Sequence, residues 1–297
     1  MDDFATALAQ RPILLDGGFA TRLETRGHDL SDSLWSARLL LDEPDEIRAT
    51  HADFFAAGAE VAITASYQVS QSGFAAAGRD AADAREALRR SVALAKAAAA
   101  DFDGDRWVAA SVGPYGASLA DGSEYRGDYG LSVDELRAWH RPRLDVLAQG
   151  EPNLLACETI PCLAEVEALA LELAALGLPA WISLTPVGDR TRQGEPLAQA
   201  YAIAADVPNV IALGANCCDP DTAAAVSEAA AGRRPVIFYP NNGESWDAAA
   251  RGWTGAGGEL ASRVPAWLAA GVAGLGGCCR VAPDEIAAMR ETLPTGW

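Results

Sequence analysis

Val210-Ile211-Ala212-Leu213-Gly214-Ala215-Asn216-Cys217-Cys218 is a short apolar run that passes through a glycine and breaks into two cysteines. Gly271-Val272-Ala273-Gly274-Leu275-Gly276-Gly277-Cys278-Cys279-Arg280 repeats the design. Each reads as a buried strand with reactive side chains at its exit. Successive side chains on a strand point to opposite faces. Adjacent cysteines therefore meet one ligand only where the backbone leaves the strand and turns, and glycine permits such a turn. Three thiolates drawn from two strand ends, with the fourth position open, form the pattern of a catalytic zinc site. The competing reading is a set of buried core thiols, because cysteine packs as a small hydrophobe.

Outward from these stretches the same unit recurs. Ile13-Leu14-Leu15 runs into Asp16-Gly17-Gly18-Phe19-Ala20-Thr21, and Val61-Ala62-Ile63 into Thr64-Ala65-Ser66. Trp107-Val108-Ala109-Ala110-Ser111-Val112 stops at Gly113-Pro114, and Leu154-Leu155-Ala156-Cys157-Glu158 at Thr159-Ile160-Pro161. Ala180-Trp181-Ile182-Ser183-Leu184 and Pro235-Val236-Ile237-Phe238-Tyr239 complete the set. Alanine-rich segments between them predict helices from Asp45 to about Gly58, over 82–100, and over 163–176 up to Gly177. Strands alternating with helices imply a parallel sheet with crossovers. The expected fold is α/β, a single (β/α)8 TIM-type barrel occupying residues 1–297, with an open doubly wound sheet as the alternative. Three long polar loops, 116–131, 188–196 and 241–258, are candidate lids or binding loops.

Composition narrows the partners. Of 297 residues, 23 are basic and 41 acidic, a formal net charge of −18. Such a surface repels nucleic acid and anionic membranes. No apolar stretch reaches the roughly 18–20 residues of a membrane span. Met1-Asp2-Asp3-Phe4 lacks the basic-then-apolar layout of a secretory signal. The expectation is a cytoplasmic protein acting on small molecules, in which six cysteines stay reduced and serve a metal or a reaction in preference to disulfides. Oligomeric state is not legible.

In the barrel reading, Asp16, Glu158, Cys217, Cys278 and Cys279 all fall at carboxyl ends of strands, where barrel enzymes keep their chemistry. Asp16 precedes two glycines, and the amides of Gly17, Gly18, Phe19 and Ala20 are candidates to hold a carboxylate. Two acids and an amide nest would grip an α-amino acid whose side chain reaches the cysteines. The bland alternatives are a helix N-cap for Asp16 and a structural ion pair for Glu158. His28, His51 and His140 lie outside the strand ends and read as helix or surface residues. Cys157 and Cys162 read as packing, and Cys218 is ambiguous. No dinucleotide fingerprint, P-loop or nucleophile elbow is present.

These residues carry a resemblance. Leu15-Asp16-Gly17-Gly18-Phe19-Ala20-Thr21, Ser66-Tyr67-Gln68, Ser111-Val112-Gly113-Pro114-Tyr115-Gly116, Cys157-Glu158-Thr159-Ile160-Pro161, Gly214-Ala215-Asn216-Cys217, Tyr239-Pro240-Asn241-Asn242-Gly243-Glu244 and Gly276-Gly277-Cys278-Cys279-Arg280 run in order along the chain. Together they resemble the homocysteine S-methyltransferase family, which shares its barrel with betaine–homocysteine methyltransferase. The resemblance implies zinc (Zn2+) on Cys217, Cys278 and Cys279, with Cys218 a bystander. It implies homocysteine as methyl acceptor, bound by Asp16, Gly17, Gly18, Phe19, Ala20, Gln68, Glu158 and Asn216. Residues 122–129 resemble the branch that uses S-methylmethionine or S-adenosylmethionine. Tyr125, Tyr129, Trp246 and Trp253 are candidates to face such a sulfonium through cation–π attraction. The rivals are a betaine- or selenohomocysteine-type enzyme of the same fold, a zinc hydrolase with a barrel-mouth water, and a non-enzymatic zinc or redox-sensing barrel.

Overall fold

The computed structural model of the chain describes residues 3–32, 34–247 and 252–294, with the backbone alone for 245–247 and 252–253. The apolar runs become parallel strands of one eight-stranded sheet. They are β1 Ile13–Leu14, β2 Val61–Ile63, β3 Trp107–Val112, β4 Leu154–Ile160, β5 Ala180–Leu184, β6 Val210–Asn216 and β7 Val236–Tyr239. A short antiparallel ribbon follows, β8 Ser245–Asp247 and β9 Gly252–Thr254, and then the last barrel strand, β10 Val272–Leu275. β10 pairs with both β7 and β1. Between β1 and β2 the seam is thin: Leu15 bridges Val61, Asp16 N donates to Val61 O at 3.1 Å, and Glu60 N donates to Leu14 O at 2.7 Å. First and last strands are hydrogen-bonded neighbours, so the sheet is the predicted (β/α)8 barrel and the open sheet is excluded.

Strands buried on both faces explain the continuous apolar runs. One core fills the barrel interior with Ile13, Leu15, Val61, Trp107, Ala109, Leu154, Ala156, Trp181, Ala212, Ile237 and Tyr239. A second lies between the sheet and the helices. The helix Phe4–Gln10, which the sequence reading did not anticipate, plugs the barrel: Phe4 meets Trp107 edge-on at 5.6 Å and Trp181 at 6.0 Å. Trp181 Nε1 donates to Tyr239 Oη at 3.1 Å, and Tyr239 in turn lines the cavity at the strand exits.

Helix boundaries follow local chemistry. Asp80 caps Ala81–Ala99 by accepting from Ala82 N and Asp83 N. Ser132 and Glu135 form a capping box for Val133–Gln149. Gly177, at φ 74°, ends Leu163–Leu176 where the sequence placed the stop. Two expectations are corrected. β4 does not close at Thr159; it continues to Ile160 through a register shift after Cys157. The 241–258 loop contains the β8–β9 ribbon. The 116–131 loop is compact, built on the 3-10 turns Tyr115–Leu119 and Ser123–Tyr125.

Candidate active site

Cys217, Cys278 and Cys279 bring their three Sγ atoms within 4.8 Å of one another. Cys217 and Cys279 are 4.0 Å apart, and Cys278 and Cys279 are 3.9 Å apart. A tetrahedral ion bonded to each sulfur at about 2.3 Å needs sulfurs about 3.8 Å apart. Donor type and spacing therefore fit a thiophilic metal such as zinc. Hydrogen bonds from Cys278 and Cys279 hold the Cys217 thiol well below its usual range. Contact with Cys217, followed by burial, holds the other two well above theirs. A cation bound there would displace whatever protons the three thiols still carry.

The turn that gathers them is not the one the sequence suggested. Gly276 and Gly277 are absent from the left-handed residues; that conformation is taken by Cys217 at φ 48° and Arg280 at φ 68°. The glycines supply room instead. A Cβ on Gly276 would sit 2.7 Å from Asp16 O, and one on Gly18 would sit 2.6 Å from Cys278 O. Trp35 at φ 49° and Thr159 at φ 61° are also left-handed and also line the cavity. Each such residue costs about 1–2 kcal/mol. Strain of this kind collects where the surroundings over-determine a site.

Beside the thiols lies a cavity of about 140 Å³ lined by Asp16, the first turn of the helix Phe19–Thr25, Trp35, Tyr67, Glu124, Tyr125, Glu158 and Tyr239. Asp16 leaves β1 and accepts from Ile63 N at 2.8 Å. Gly18, not Asp16, is the cap of the helix, so the N-cap alternative is not realised. Burial raises the Asp16 carboxyl well above its usual range, opposed by the Ile63 hydrogen bond. Glu158 accepts from Ser111 Oγ and forms no ion pair among the described residues. Burial, with the Cys217 thiolate adding to it, pushes its carboxyl up to about 7.

The other expected residues divide. Gly17, Gly18, Phe19 and Ala20 line the cavity. Asn216 lines it too, but its amide is committed: Oδ1 accepts from Thr159 N at 2.7 Å and Nδ2 donates to Thr159 Oγ1 at 2.8 Å. It pins the left-handed Thr159. Gln68 does not line the cavity; its Nε2 donates to Ala117 O at 3.0 Å. Tyr125 lines it and donates towards Cys217. Tyr129 does not; it packs edge-on to Tyr115 at 5.2 Å. Trp246 and Trp253 face each other in the β8–β9 register, and their side chains lie outside the described residues. Cys218 faces the core and accepts from Thr222 Oγ1, its thiol pushed up to about 12 by burial. His28, His51 and His140 line neither this cavity nor its neighbour. His140 is buried against Glu165 at 2.9 Å, and His51 against the Phe19 ring.

Sequence reading missed Trp35, Tyr67, Glu124 and Tyr239. Tyr67 stood in a quoted motif beside Gln68. It is held by a buried guanidinium: Arg143 donates to Tyr67 O at 3.0 Å and Gly113 O at 2.8 Å. A second, wider cavity of about 420 Å³ shares Tyr125 and Cys217 with the first and adds Arg126, Arg192, Asp219 and Glu244.

A family model described as homocysteine S-methyltransferase matches residues 13–293. The chain belongs to the homocysteine S-methyltransferase family. It is 45% identical over 291 residues to Homocysteine S-methyltransferase of Escherichia coli (strain K12), covering 94% of both chains. It is 42% identical to Homocysteine S-methyltransferase YbgG of Bacillus subtilis (strain 168), over 95% of this chain and 96% of the relative. The metallated form of the homocysteine methyltransferase MmuM from Escherichia coli superposes with a TM-score of 0.87 at 43% identity, over 97% of this chain and 98% of that one. The apo form of MmuM superposes at 0.76, over 95% and 96%. As a member of this family the chain is a methyltransferase. No helix among the described residues is long and apolar enough to cross a membrane.

Proposed function

We propose that this chain transfers a methyl group from a sulfonium donor, S-methylmethionine before S-adenosylmethionine, to the thiol of homocysteine, making methionine in the cytoplasm. The observation that carries the reading is the placement of two buried carboxylates, Asp16 and Glu158, in one cavity with three convergent thiols. Homocysteine carries an ammonium and a thiol, and the cavity has a complement for each.

Cys217, Cys278 and Cys279 would hold zinc, which supplies Lewis acidity that favours the thiolate form of a neighbouring substrate sulfur. The near-tetrahedral spacing of the three sulfurs supports a metal here. Asp16 and Glu158 take the ammonium, and the Gly17–Ala20 backbone faces the carboxylate. The substrate sulfur forms the new S–CH3 bond as the donor's C–S bond breaks. The electron pair of that bond returns to the donor sulfur, which leaves neutral. No general acid is needed, and the protein's work is alignment. Tyr125 closes the cavity over the reacting groups, and the buried walls exclude water.

The deciding experiment measures kcat/KM for S-methylmethionine, S-adenosylmethionine and betaine at constant homocysteine, together with metal content. The expected order is S-methylmethionine, S-adenosylmethionine, betaine, with about one zinc per chain. Betaine exceeding both sulfonium donors would reject the donor assignment; no methionine from any donor would reject the function.

A further inference from the structure

Glu124 is a third carboxylate of the cavity, and neither the amino-acid grip nor the thiol cluster employs it. It sits in the 3-10 turn Ser123–Tyr125, 7% exposed. Its Oε2 is buried with no hydrogen-bond partner among the described residues. The nearby cations are committed elsewhere. Arg126 turns outward to Asp121, Asp128 and Ser123 Oγ. Arg192 stacks on the Tyr125 ring but donates to Thr185 O and Oγ1. The carboxylate does not arrive by accident of a loose loop. A Cβ on Gly116 would lie 2.4 Å from Glu124 N, so the two 3-10 turns pack backbone to backbone and fix its position. The carboxyl accepts one hydrogen bond, from its own backbone N–H, and a buried carboxylate held rigidly with its second oxygen unpartnered is a vacancy for a cation.

We propose that Glu124 is the counter-charge for the methyl donor, its carboxylate contacting the cationic sulfonium while Asp16 and Glu158 hold the acceptor's ammonium. The inference rests on the sulfonium reading above. Burial lifts the Glu124 carboxyl to about 7, so an arriving cation meets a group ready to ionise. The attraction has a direction in time. The donor sulfur is positive before transfer and neutral after it, so Glu124 holds the substrate and releases the product. Because the charge fades towards the transition state, the contact stabilises the ground state more than the transition state. Its removal should appear in donor KM, with kcat unchanged or raised.

The test uses the full-length, metal-loaded protein and the variants Glu124→Gln, Glu124→Ala and Glu124→Asp. Calorimetric titration with S-adenosylmethionine and with its neutral demethylated thioether measures charge discrimination directly, and initial rates give both substrates' KM values. The expected result is a fall in sulfonium affinity of about ten- to a hundredfold in the Gln and Ala variants, the scale of a charge-assisted contact. Thioether affinity and homocysteine KM should stay within about twofold, and Asp should recover part of the loss. Unchanged donor affinity in Gln and Ala overturns the proposal, as does an equal loss for sulfonium and thioether, or a loss in homocysteine KM instead. A wild-type protein inactive with every sulfonium overturns the functional reading first and this inference with it. An active wild type with indifferent variants overturns this inference alone.

Discussion

The cavity has two walls of different construction. One is made of strand exits: Asp16 after β1, Glu158 in β4, Cys217 after β6, and Cys278 and Cys279 after β10. Sheet register sets their relative positions, and the closed barrel leaves little freedom to move one against another. The facing wall is loop: Trp35, Glu124 and Tyr125, carried on short 3-10 turns. Its geometry depends on close backbone contacts such as that of Gly116 with Glu124. The contrast suggests a division of labour, with the acceptor and metal on the wall set by sheet register and the donor on the wall set by loop packing.

The strongest way to break that division is to attack the thiols. Cys217→Ser, Cys278→Ser and Cys279→Ser are each expected to lower kcat/KM by about a hundred- to a thousandfold, the loss seen when one preorganised electrostatic element is removed. Metal analysis of the same proteins should fall below the wild-type content. Cys218→Ser should keep its metal, and full retention in the first three variants would unmake the site. Next in size are Asp16→Asn and Glu158→Gln. Each should weaken homocysteine about ten- to a hundredfold with metal retained. A homocysteine KM unmoved in both would move the ammonium to the other wall.

A pH series sharpens the same point. Glu158 is raised to about 7, chiefly by burial. In the proposed role the ionised form holds the ammonium, so binding should strengthen as pH rises through that value and weaken below it. Norleucine, which has the ammonium and no thiol, should inhibit about tenfold more tightly at pH 8 than at pH 6. Glu158→Gln should flatten the profile; a slope that survives the substitution assigns it to another group. The smallest effect belongs to the loop wall. Tyr125→Ala should raise donor KM about three- to tenfold through lost cation–π contact. Tyr129→Ala should lower the melting temperature and leave donor KM alone. Equal effects on donor KM would erase the distinction drawn between the two tyrosines.

The same two walls separate what was legible in the sequence from what was not. Strand exits announce themselves: an apolar run broken by Asp16, Glu158 or a cysteine is a local pattern, and the barrel converts it into a shared site. The residues of the loop wall carry no such pattern. Trp35 lies in a stretch with neither strand nor helix periodicity, and its left-handed backbone is imposed by tertiary packing. Tyr125 and Tyr129 are equivalent on paper, and only the packing of Tyr129 on Tyr115 distinguishes them. Gln68 and Tyr67 are neighbours, so choosing between them needs the direction of one side chain. The glycines of the cysteine loop were recognised for the wrong reason: they admit a neighbouring backbone, and a cysteine and an arginine make the turns.

That close approach has a thermodynamic consequence. Gly277 N donates to Asp16 O at 3.0 Å, Gly18 N to Val281 O at 2.8 Å, and Arg280 N to Thr21 Oγ1 at 3.0 Å. The loop bearing Asp16 and the loop bearing two of the thiols are thus stitched into one unit. Whatever orders one loop orders part of the other, so the ion and the amino acid should bind with positive cooperativity. Reciprocity then requires the ion to tighten norleucine by the same factor by which norleucine tightens the ion. Competition with a chelator of known affinity, with and without norleucine, measures that factor. Under metal scarcity the acceptor would help to recruit the ion that activates it, and equal ion affinities in the two titrations would mean that the stitching transmits nothing.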